Sequence, residues 1–207
     1  MKSLKEKILP QLFIIYTRYL IGSAFVFASL IKLKGKRFTT ASGADEPIDS
    51  AWHFFETMYA SGLFWKFIGA GQLIAGFFLM TQRFSKLGAL MFLPIVSSVF
   101  VVTISYYFAL TPVITGMMLI ANILLIVWDW DELKILINKP PVMESRKRFE
   151  NDKVWEITGL ALFLFTFFYR LSVDGYNFFF WGAGCMLIGM IGLIAGLRRK
   201  RLYESSN

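Results

Sequence analysis

The stretch LMFLPIVSSVFVVTISYYFAL, residues 90–110, carries no charged side chain. A helix needs about 20 residues, at 1.5 Å each, to cross a hydrocarbon core of about 30 Å. A transmembrane strand needs only about 10 and alternates apolar with polar residues. This run is continuously apolar, as is GMMLIANILLIVW, residues 116–128, so both read as helices that satisfy their own backbone bonds within lipid. Working outward from them, comparable stretches occupy 12–31, 63–80, 87–110, 113–128, 154–171 and 178–197. The fold class that follows is all-α, a polytopic bundle of six membrane helices.

Composition agrees. Hydrophobic residues make up 56% of the 207, and charged residues 17%, against about 25% in a soluble domain. An aromatic share of 17% is the reverse of what keeps a chain unfolded. One cysteine and one histidine exclude an internal disulfide, a CxxC pair, a Cys-rich zinc site and bis-His haem ligation within one chain. Cys185 reads as a small apolar filler.

The Lys and Arg residues assign an orientation. With a cytoplasmic N-terminus, fifteen of them fall inside: Lys2, Lys5, Lys7, Arg83, Lys86, Lys134, Lys139, Arg146, Lys147, Arg148, Lys153 and Arg198 to Arg201. Only Lys32, Lys34, Lys36, Arg37, Lys66 and Arg170 fall outside, which puts both termini in the cytoplasm. Trp128, Trp130 and Trp155 then lie at the inner interface and Trp52, Trp65 and Trp181 at the outer one, where an indole is most favourably placed. The net charge of +8 sits in loops and tails beside helix ends, so it reads as topology-setting rather than nucleic-acid binding. The first span is longer than a signal-peptide core and contains Arg18, and it reads as an uncleaved anchor.

Two connections are long. Residues 139–153, with Pro140 and Pro141, read as a cytoplasmic linker between a four-helix unit (1–138) and a C-terminal two-helix hairpin with a basic tail (154–207). In the outer loop, Ala51, Trp52, Phe55, Met58 and Tyr59 share a helical face opposite His53, Glu56 and Thr57, which predicts a short amphipathic helix capped by Asp49 or Ser50 and stopped at Gly62. His53 beside Glu56 is a candidate proton shuttle or metal ligand, although a lone exposed histidine is usually just solvated. Glu156 is expected to form an interfacial ion pair with the Arg146 to Lys153 cluster. Gly192 and Gly196 give a small-xxx-small face for close helix packing.

Arg18, Gln72 and Asn122 fall near the centres of their predicted spans, and no Asp or Glu does. An ionisable group at that depth costs at least ~2.5 kcal/mol, so Arg18 is expected to face the interior and find acceptors there. Gln72, Asn122, hydroxyls such as those of Tyr16, Ser97, Ser98, Thr103 and Tyr106, backbone carbonyls, water or a bound ligand are the acceptors on offer. Either these residues are interhelical glue, or Arg18 donates to a quinone carbonyl, a lipid headgroup or another small acceptor, with Tyr106 and Tyr107 lining the outer mouth.

RYLIGSAFVFASLIKLKGKRF (18–38), with Arg18, Gly22 and Lys32, and FIGAGQLIAGFFLMTQRFSKLGAL (67–90), with Gly69, Gly71, Gln72, Gly76, Arg83 and Ala89, resemble the DoxX family of small bacterial membrane proteins. The resemblance covers roughly residues 11–138. Gln72 stands where the family pattern has an acidic residue, and Ser29 where it has glycine before the lysine. The resemblance implies a four-helix unit in a bacterial inner membrane and an accessory, redox-associated and quinone-linked subunit whose electron transfer belongs to a protein partner. The alternative expectation is a scaffold or assembly factor for another membrane protein. No catalytic residue or metal site is predicted; a quinone is the candidate cofactor, and a transporter is less favoured without inverted repeats of broken helices.

Overall fold

The computed structural model describes residues 2–142, 148–175 and 177–205, with side chains for 4–142, 148–175 and 177–201. Arg146 and Lys147 of the basic count lie outside the described residues, as does the side chain of Lys2. Among the described residues the chain is all helical, and six helices are long and apolar enough to cross a membrane. They are α2 (Ile8–Leu33), α4 (Leu63–Met80), α5 (Ser85–Ser105), α6 (Thr111–Trp128), α8 (Lys153–Ser172) and α9 (Phe178–Ser205). Short helices α1 (Lys2–Lys5), α3 (Ala51–Ala60) and α7 (Trp130–Leu133), and 3₁₀ turns at Lys134–Ile137 and Phe149–Asn151, fill the connections. The chain is a multi-pass helical membrane protein.

Helix α2 is the centre of the bundle, packed against α4, α6 and α8, while α9 lies at the periphery. Helices in lipid gain little from hiding apolar surface, so they associate where small residues let backbones approach. Gly22 of α2 faces Gly76 and Met80 of α4, and Gly69 faces Ser29 and Lys32, about two and three turns further along α2. A Cβ on Gly159 of α8 would lie 1.7 Å from the Met80 carbonyl oxygen, so α8 runs directly over the end of α4. Gly192 and Gly196 of α9 rest on Thr158 and Trp155, as their spacing predicts. The resulting cores hold Phe25 stacked on Phe92 on one side of α2, and Tyr19, Met80 and Trp155 on the other.

The two ends of the bundle differ. One, the terminal face, carries the starts of α2 and α8, the ends of α4, α6 and α9, and the pairs Lys5–Asp131 and Arg199–Asp152. At the opposite face, α3 is capped by the Ser50 hydroxyl accepting from the His53 amide. It lies across the bundle end through rings, Trp52 and Phe55 against Phe108 and Phe54 stacked on Tyr106.

Arg37 binds Glu56 through both Nε and Nη2, and Asp174 accepts from Lys34 and Lys36. These hydrogen bonds hold both carboxyls below the usual carboxylate range. The stabilisation they give is present above the unfolded values near pH 4 and lost as pH falls through the lowered folded values. Protection of the Gly43 amide, which donates to Glu56, is therefore expected to fall in acid relative to the intrinsic exchange rate at each pH, and Glu56→Gln to reproduce that loss at pH 7. Protection unchanged by either would contradict this assignment.

Candidate functional site

Hydropathy places Arg18 at the centre of a span, and the structure does not. Helix α2 has 26 residues, about 39 Å long, and so exceeds a hydrocarbon core of about 30 Å. Because Gly22 is level with Met80, the last residue of α4, Arg18 lies one turn beyond the end of α4, at the level of the terminal-face connections. The first three turns of α2 are apolar enough to mimic a membrane segment, yet Gln11 there binds the Lys5 carbonyl and the Glu150 amide.

Carboxylates meet Arg18 at that level, in place of the neutral acceptors expected from sequence. Its Nη2 donates to Asp129 Oδ2 at 2.9 Å, and its Nη1 to Gln82 Oε1 at 2.9 Å and Glu150 Oε2 at 3.4 Å. Arg18 is 3% exposed, Asp129 4% and Glu150 3%. Each partner comes from a different segment: Gln82 from the α4–α5 turn, Asp129 from the end of α6, and Glu150 from the 3₁₀ turn before α8. Glu150 also accepts from Trp128 Nε1 at 3.1 Å and Arg148 Nη1 at 3.0 Å. Gln82 has a left-handed φ of 59°, uncommon without glycine, and its side chain is held by Arg18 and by donation to the Ile15 carbonyl. Burial pushes the Asp129 carboxyl upward, Glu150 adds to that, and the Arg18 charge opposes it.

Over this buried floor lies a cavity of about 270 Å³. Its lining includes four cations, Arg18, Arg83, Lys86 and Arg148, and four carboxylates, Asp129, Glu132, Glu150 and Glu156, so it is formally neutral. Lys86 pairs with Glu132 at the more exposed rim. Arg83 and Glu156 make no ion pair among the described residues. The Nε of Arg18 is buried without an acceptor.

The residues predicted to share a ligand do not converge. Asn122 lies seven residues before Asp129, roughly 10 Å along the helix, and its Nδ2 donates to the Ala89 carbonyl at 3.1 Å while its Oδ1 is buried without a donor. Gln72 lies eight residues before the end of α4, also with its Oε1 buried and unbonded. Tyr106 and Tyr107 follow the far end of α5 at the opposite face; the first stacks on Phe54 and the second is largely exposed. The sequence-predicted site residues thus stand at separate locations, Arg18 at the terminal face, Gln72 and Asn122 within α4 and α6, and the two tyrosines at the opposite face. Of the linker 139–153, the described end from residue 148 packs on the bundle: Glu150 accepts from Trp128 Nε1, and Trp155 Nε1 bonds the Phe149 carbonyl. At the opposite face, Glu56 is engaged by Arg37, and His53 has its Nδ1 buried without a partner.

The missed residues left a trace in the sequence. DWDELK (129–134) and FEND (149–152) put carboxylates immediately outside spans on the face that collects the basic residues. Reading the depth of Arg18 from the end of α4 rather than from hydropathy would have levelled it with them. No family model, curated protein or solved structure matches the chain.

Proposed function

We propose that the chain is a DoxX-like protein of a bacterial inner membrane, with both termini cytoplasmic. It acts as a non-catalytic accessory subunit that holds a small polar molecule or lipid headgroup at its terminal face. The orientation rests on the excess of Lys and Arg at that face and on its tryptophans. The observation that carries the function is the buried Arg18–Asp129–Glu150 floor beneath the 270 Å³ cavity. Together with Gln82 it draws on four separate segments, and a buried charge network costs desolvation that lipid-facing packing alone does not require.

The geometry favours a polar headgroup over a quinone ring at Arg18. Both terminal nitrogens of its guanidinium are committed to Gln82, Asp129 and Glu150, and the cavity lining is charged rather than aromatic. Mass spectrometry of the protein extracted gently from its membrane tests the reading. One lipid or polar small molecule retained per chain is expected; a stoichiometric protein partner with no small molecule would instead favour the scaffold.

A further inference from the structure

We propose that the terminal-face cavity binds the headgroup of a zwitterionic phospholipid bearing a primary ammonium, with its phosphate on Arg83 and its ammonium on Glu156. The inference rests on the ligand-holding function proposed above and names the class of that ligand. Three internal pairs, Arg18–Asp129, Lys86–Glu132 and Arg148–Glu150, neutralise most of the lining. They leave one cation and one carboxylate, Arg83 and Glu156, without an ion pair among the described residues. Among the described residues, a single anion would leave Glu156 without a counter-ion, and a single cation would do the same to Arg83. A ligand carrying both charges completes both.

Arg18, whose Nε is buried without an acceptor, is among the residues lining the cavity. At about 270 Å³ the space is just below the roughly 300 Å³ of the smallest drug-sized sites, enough for a headgroup while the acyl chains remain outside. Its rim points to a lipid rather than a dissolved solute. Arg83 lies over the ring of Phe84, and Phe84 and Leu87 are each 47% exposed, an apolar edge on which acyl chains can lie. An ammonium with three N–H donors hydrogen-bonds a carboxylate, whereas a trimethylated one has none to give.

Thermal unfolding of the delipidated protein in detergent, followed by tryptophan fluorescence, is measured against added phosphatidylethanolamine, phosphatidylcholine, phosphatidylglycerol and soluble glycerophosphoethanolamine. Phosphatidylethanolamine is expected to give a saturable rise in Tm that exceeds the others. Arg83→Gln and Glu156→Gln, read for unaltered unfolding without lipid, are each expected to weaken it about tenfold, as for loss of one charge-assisted hydrogen bond. Equal protection by phosphatidylcholine, or by phosphatidylglycerol, would overturn the zwitterion assignment while leaving a lipid site in place. Equal protection by the soluble headgroup would overturn the lipid source. No saturable protection by any of the four would overturn this inference together with the ligand-holding function beneath it.

Discussion

Arg18→Leu is expected to destabilise the protein by about 3–5 kcal/mol, the range for removing one partner of a buried ion pair. The loss comes less from the bonds of Arg18 than from what it leaves behind. Asp129 and Glu150, 4% and 3% exposed, would remain side by side with no cation from α2 between them. Gln82 would also lose the donor that holds its side chain over a left-handed backbone. Arg18→Lys should recover only part of the loss, since one ammonium cannot span the guanidinium's bonds to Gln82, Asp129 and Glu150 at once. Unfolding in detergent followed by tryptophan fluorescence suits the measurement, because Trp128 is bonded to Glu150. A melting curve unchanged by Arg18→Leu would show the cluster to be energetically idle.

Gly159→Ala is the second large effect, and it acts on packing rather than charge. The added methyl would sit 1.7 Å from the Met80 carbonyl oxygen and 2.8 Å from Cε1 of Tyr19, so α8 must move away from both α4 and α2. Tyr19 donates its hydroxyl to the Trp155 carbonyl across this seam, and outward movement breaks that bond as well. Overpacking costs typically about 1–3 kcal/mol, and a clash with backbone, which cannot swing aside, belongs at the upper end. Gly182→Ala in α9 is the matched control: nothing lies within 4 Å of its added methyl, and alanine is the better helix former by up to ~1 kcal/mol. Expected is a clear fall in Tm for the first and none for the second; equal behaviour would mean that the contact between α8 and α4 is not the close one described.

The membrane class was legible because hydropathy responds to long apolar runs, and the six spans in the sequence correspond to the six long helices within a few residues. The glycine face at Gly192 and Gly196 was legible for a similar reason, a fixed four-residue spacing on one helix. The surroundings of Arg18 were not. Hydropathy averages over a window, and the first three turns of α2, with Leu9, Leu12, Phe13 and Ile14, are as greasy as the buried part that follows. Depth along such a helix is fixed by the residue opposite, and pairing Gly22 with Met80 is a tertiary fact. The same limit hid Glu150, which sits in a polar connection with the composition of a solvated loop, yet is buried because Arg18, Trp128 and Arg148 all need its oxygens.

The most direct measurement is a thermodynamic cycle in which Arg18→Leu, the pair Asp129→Asn with Glu150→Gln, and all three changes together are unfolded under identical conditions. If Arg18 is neutralised by these two carboxylates, the triple variant should be more stable than Arg18→Leu alone, with a coupling of about 1–3 kcal/mol for groups in direct contact. Simple addition of the two penalties would mean that Arg18 does not have Asp129 and Glu150 as its counter-ions.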